Sequence, residues 1–103
     1  MTPSQQKELL DRNLSGYTWT NDDKSVFFAF FNGEVWFIIP NKEVFNATYS
    51  TYVQGRALML KLAYTEGNTF FKVKMISEHR MEIEIKDEKL KVLMKKVAGY
   101  QWI

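Results

Sequence analysis

The sequence predicts an all-β fold: an antiparallel eight-stranded meander closed into a small barrel, preceded by one short helix. Three observations lead there. From residue 17 onward, apolar and polar side chains alternate with a period of two, the spacing of strands with one buried face. Turn-forming residues interrupt the alternation at regular intervals, from Asn21-Asp22-Asp23 to Asp87-Glu88. No segment after Gly16 has room for the crossover helix that parallel neighbours require. Strand content this high in 103 residues suits a closed barrel, which leaves no long exposed edges.

The helix is written in the first thirteen residues. Thr2 and Gln5 have capping-box spacing, Pro3 falls at the first helical position, and the segment from Lys7 to Arg12 continues it. Asn13 and Gly16 end it, both tolerating left-handed backbone. A helix this short is marginal alone, so Leu9, Leu10 and Leu14 must pack on something, as a plug or lid over the barrel.

Strands are expected at 17–20, 25–31, 34–39, 44–53, 57–64, 69–76, 80–86 and 89–97. Asn32-Gly33 is the strongest turn signal, because a type I′ hairpin needs positive φ at both central residues. The charges predict neighbour order independently. Lys72 and Lys74 alternate with Phe71, Val73 and Met75; Glu82 and Glu84 with Met81, Ile83 and Ile85. Lys89, Lys91 and Lys95 alternate with Leu90, Val92 and Met94. Three consecutive outer faces therefore run positive, negative, positive, as cross-strand pairing favours. The hairpin from 25 to 39 is apolar on both faces: Val26, Phe28 and Phe30 oppose Phe27, Ala29 and Phe31, and Trp36 and Ile38 oppose Val35, Phe37 and Ile39. Its outer face needs a cover: the helix, the tail, or a second subunit.

Composition narrows the classes of function. With 46% hydrophobic and 25% charged residues, the chain is globular rather than disordered. One domain spanning 1–103 is expected, with 1–13 as a helical lid and 98–103 as an aromatic tail. The absence of cysteine excludes disulfides and thiolate metal sites. A net charge of +2 gives no reason to expect a polyanionic partner. There is no apolar run long enough for a membrane-spanning helix, and the N-terminus is too polar for a signal peptide. Either a cytoplasmic chain or an exported one with its leader removed fits.

The order of motifs resembles the lipocalin-like (calycin) small barrels of bacteria. The resemblance runs from Leu14 to Val97. It opens on Leu14-Ser15-Gly16-Tyr17-Thr18-Trp19, similar to the family's Leu-x-Gly-x-Trp, with the tryptophan three residues after the glycine instead of two. An aromatic strand, Phe28–Phe31, runs into Asn32-Gly33-Glu34; Tyr52 to Leu60 is like the family's Tyr, Gly, Leu-x-Leu segment. The segment 76–83 is similar to the family's turn into the next strand, and a basic final strand, Lys89–Lys96, closes the series. The resemblance implies that Lys95 or Lys96 packs over Trp19.

Chemistry-bearing motifs are sparse. His79, the single histidine, sits in the turn Ser77-Glu78-His79-Arg80, where a solvated turn residue is favoured over an acid, base or ligand. Glu82 and Glu84 lie among lysines on a wet face. No serine stands in a nucleophile motif, and the glycines are isolated turn or tail residues rather than a phosphate loop. No catalytic residue, metal or cofactor is therefore expected. Nucleic-acid binding is not expected either. The aromatic hairpin carries no Lys or Arg, residues 1–56 sum to −1 and residues 57–103 to +3. Asn13-Leu14-Ser15 and Asn46-Ala47-Thr48 match the glycosylation pattern but carry little weight alone.

Two functional expectations result. The leading one is a non-enzymatic binding module that holds a small apolar ligand in its interior or mouth. Its expected lining is Phe28, Phe30, Trp36, Leu58, Leu60, Phe71, Val73, Met81 and Ile83. The alternative is a protein–protein interaction module, a homodimer, inhibitor or accessory protein. Its expected interface is Phe27, Phe31, Val35, Phe37, Tyr100 and Trp102.

Overall fold

The computed structural model describes residues 1–85 and 90–97. It opens with helix α1 (Pro3–Arg12), followed by β1 (Thr18–Asn21), β2 (Phe27–Phe31), β3 (Glu34–Ile39) and β4 (Glu43–Gln54). Then come β5 (Ala57–Tyr64), β6 (Gly67–Ser77), β7 (Arg80–Ile85) and β8 (Leu90–Lys96). All eight strands pair antiparallel with their sequence neighbours, and β1 closes the barrel against β8.

The helix starts as its spacing dictates. The Thr2 hydroxyl accepts from the Gln5 amide at 3.2 Å, and the Gln5 side chain accepts from the Thr2 amide at 2.8 Å. Lys7 and Asp11 form an i,i+4 ion pair at 2.8 Å. α1 closes one barrel end, packing on β4, β5 and β6 and driving Leu9 and Leu10 into the core. Gln6 fixes its seat: its amide group donates to the Met75 carbonyl at 3.3 Å and accepts from the Met75 N–H at 2.8 Å. This pair sits beside the register shift between Met75 and Ser77, where the ladder leaves backbone groups to be satisfied. A Thr51 hydroxyl bond to Asp11 adds a second tie.

Turn chemistry sets strand limits. Asn32 (φ 50°) and Gly33 (φ 83°) both take positive φ, as a type I′ hairpin requires. Pro40 and Asn41 (φ 64°) occupy the centre of a type II turn closed by the Lys42 N–H on the Ile39 carbonyl at 3.0 Å. β2 begins at Phe27 rather than Ser25. The Asp23 carboxylate accepts from the Ser25 N–H and the Asn21 side chain from the Val26 N–H, both at 3.1 Å, so these amides are spent on the turn.

The charge ladder is present in part: Lys72 lies opposite Glu84, which lies opposite Lys91, and Lys74 lies opposite Glu82, but Glu82 meets Leu93 on β8, Lys95 lies opposite Arg80, and Lys89 lies outside the described residues. On the inner side, Trp19 is fully buried and lies opposite Phe28. One cluster joins Leu10, Leu14 and Trp19 to Phe30, Leu60, Phe71, Met81 and Met94. Each such side chain contributes ~1.5–3 kcal/mol by leaving water. The basic residue implied over Trp19 is placed differently in detail. Lys96 lies opposite Trp19 in register, but its ammonium sits 4.2 Å from the Tyr17 ring centroid, and Lys95 lies opposite Thr20.

Candidate functional site at the barrel mouth

The end opposite α1 is the mouth, and the site there arises from a split in the sheet. β4 pairs with β3 from Glu43 to Thr48 and with β5 from Thr48 to Gln54, so Thr48 faces both Glu34 and Ala63. Beyond Thr48 the two strands diverge. Residues 43–46 of β4 stand exposed, while β5 runs on to Tyr64 and turns into β6.

A recess of about 590 Å³ occupies the divergence. Phe37, Phe45 and Tyr64 supply its aromatic surface; Asn46, Thr65, Glu66, Asn68 and Thr69 supply amide, hydroxyl and carboxylate groups. Among the described residues no Lys, Arg or His lines it. Phe28 backs the recess, with its ring edge-on to Phe37 at 4.9 Å, and the Phe37 and Phe45 rings lie 6.1 Å apart. Phe37 and Tyr64 are half-buried against the core, and Phe45 is 44% exposed. The apolar surface is thus continuous with the interior yet open to water. A second depression, of about 420 Å³, runs along Ser4, Lys7, Glu8, Asp11 and Arg12. All five side chains come from α1 alone, so no second element converges on it.

The expected lining residues divide. Phe28, Phe30, Leu58, Leu60, Phe71, Val73, Met81 and Ile83 all face inward and are buried in one packed cluster with the helix leucines. None of them is more than 6% exposed. Trp36 is a correction: it lies opposite Ala29 and Asn46, in the outward row, half-buried. Val35 and Phe37, expected at an outer interface, are corrections in the other direction. Val35 is fully buried in the core beside Ala47, and Phe37 packs inward. The physical reason is the pairing of Trp19 with Phe28, which commits the Phe28–Phe30 parity to the interior and carries Val35 and Phe37 with it. Phe27 and Phe31 do face outward, half-buried and 62% exposed respectively. Tyr100 and Trp102 lie outside the described residues. The helix, one expected cover for the outer face, closes the barrel end instead.

Phe45, Asn46 and residues 64–69 were not expected at a site. Tyr64 was legible in principle, as the next inward position after Leu58, Leu60 and Leu62. Phe45 had a weaker signal, an aromatic among the polar residues of β4.

Elsewhere the polar groups are structural. His79 is exposed in its turn, and its carbonyl accepts from the Lys96 N–H at 2.8 Å. The Asp23 carboxyl is held below its ordinary value by hydrogen bonds from the Ser25 side chain and backbone. Among the described residues no three His, Cys, Asp or Glu side chains gather in a metal-binding group, and no helix is long and apolar enough to cross a membrane. No protein-family model, curated protein or solved structure matches the chain.

Proposed function

We propose that the chain is a non-enzymatic binding module that takes the apolar part of its ligand at the barrel mouth. The observation that carries this reading is the recess of about 590 Å³ with Phe37, Phe45 and Tyr64 in its wall. Ligand pockets commonly run ~300–1,000 Å³ and combine apolar walls with a few polar groups that orient the guest. The burial of the inward-facing residues of the expected lining, none of them more than 6% exposed, supports the mouth over the barrel centre. The closed eight-stranded meander, with a helix at one end and an aromatic recess at the other, is consistent with a bacterial lipocalin-like domain.

Titration with the neutral fluorophore N-phenyl-1-naphthylamine tests the proposal. Saturable enhancement is expected for the native chain, with binding at least about tenfold weaker, ~1.4 kcal/mol, in Phe45→Lys. Because Phe45 is 44% exposed, that variant should keep the native circular dichroism and melting temperature. Equal binding by the folded variant, or no saturable enhancement at all, would contradict it.

A further inference from the structure

We propose that the natural occupant of the recess is an extended peptide segment of a partner protein, which adds as a short strand to the open edge of β4. This rests on the mouth recess being the binding site.

The hydrogen-bonding phase of β4 is fixed by one contact: the Tyr49 N–H donates to the Gly33 carbonyl at 2.9 Å. Pairing with β3 then runs unbroken from Glu34–Thr48 to Ile39–Glu43. In an antiparallel ladder a residue turns its N–H and C=O to the same side and its neighbours turn theirs to the other. Phe45 and Ala47 therefore bond into β3, while Val44 and Asn46 turn both backbone groups away from it. Their partner on that side would be β5, but β5 pairing stops at Thr48–Ala63. Thr65, the next register position opposite Asn46, has already left the ladder for the β5–β6 turn. Among the described residues no strand pairs with Val44 or Asn46 on this side.

An open edge of this kind is a template for another strand. Two N–H and two C=O groups, spaced two residues apart, match the groups that three or four residues of extended peptide present. Such a peptide would place alternate side chains over Phe37, Phe45 and Tyr64. The β5–β6 turn bounds the far side of the recess. Among the described residues Glu66 is the one charged residue of the lining, and Glu43 lies on the same edge. The complementary segment is apolar at alternate positions and neutral or basic between them.

Amide exchange and ¹⁵N–¹H spectra test this, with acetylated, amidated Lys-X-Lys-X-Lys peptides (X being Val, Leu, Phe or Trp) and their N-methylated counterparts as probes. In the free protein the Val44 and Asn46 amides should exchange fast while those of Phe45 and Ala47 are protected. At least one peptide should slow exchange at Val44 and Asn46 and shift Phe45 and Tyr64, with about tenfold weaker binding when its backbone is methylated. Protection of Val44 and Asn46 in the free, dilute protein would overturn the proposal. So would equal binding of the methylated peptide. Protection that rises with protein concentration alone would assign the edge to a second copy of this chain instead. If no peptide binds at about 1 mM while N-phenyl-1-naphthylamine does, the peptide proposal falls and the binding module stands; if neither binds, both fall.

Discussion

Lys96 donates from Nζ to the Asn13 side-chain oxygen at 2.8 Å, joining the last strand of the barrel to the residue that caps its only described helix. Asn13 takes three further bonds: its side-chain amide donates to the Leu9 carbonyl and its backbone carbonyl accepts from the Trp19 indole, each at 2.8 Å, and its backbone N–H donates to the Leu10 carbonyl at 2.9 Å. Trp19 in turn lies opposite Lys96 where β1 meets β8. Barrel closure and plugging of the barrel end therefore share one polar node, where the Lys96 ammonium also lies 4.2 Å from the Tyr17 ring centroid.

Replacing Asn13 with Ala should cost ~2–3 kcal/mol, because it strands the Leu9 carbonyl and the Lys96 ammonium without their partner. The backbone at position 13 (φ −113°, ψ 11°) is open to alanine, so the loss reports the side chain and not strain. Urea unfolding checks it. A change below ~0.5 kcal/mol would show that the node is dispensable.

Asp23 offers a pH-dependent signature. Its carboxyl is lowered from 3.8 by the hydrogen bonds of Ser25, so the favourable contribution is present above pH 3.8 and is lost as the pH falls through the lowered value. The Ser25 amide resonance should accordingly titrate with a midpoint below 3.8. A titration midpoint at or above 3.8 would contradict that bond.

How much of this was legible in the sequence depends on where two patterns compete. The capping box and the limits of β3 and β5 follow from local spacing and the structure repeats them, while the Lys–Glu–Lys ladder is complete only at Lys72–Glu84–Lys91. The start of β2 does not, because Asn21 and Asp23 capture backbone amides that alternation alone assigns to a strand. The inward parity of the hairpin 27–39 was undetermined for a different reason: both faces are apolar, so only a long-range pairing, Trp19 with Phe28, decides it. The recess is the least legible feature. It exists because β4 and β5 part after Thr48 and Ala63, and nothing in the alternation of either strand marks that point.

The most direct measurement is a set of intermolecular NOEs between bound N-phenyl-1-naphthylamine and the protein side chains. Binding at the mouth predicts contacts from the fluorophore to the rings of Phe37, Phe45 and Tyr64 and none to the Leu58, Val73 or Met81 methyl groups. Contacts to those interior methyl groups, or to neither set, would contradict a ligand site at the mouth.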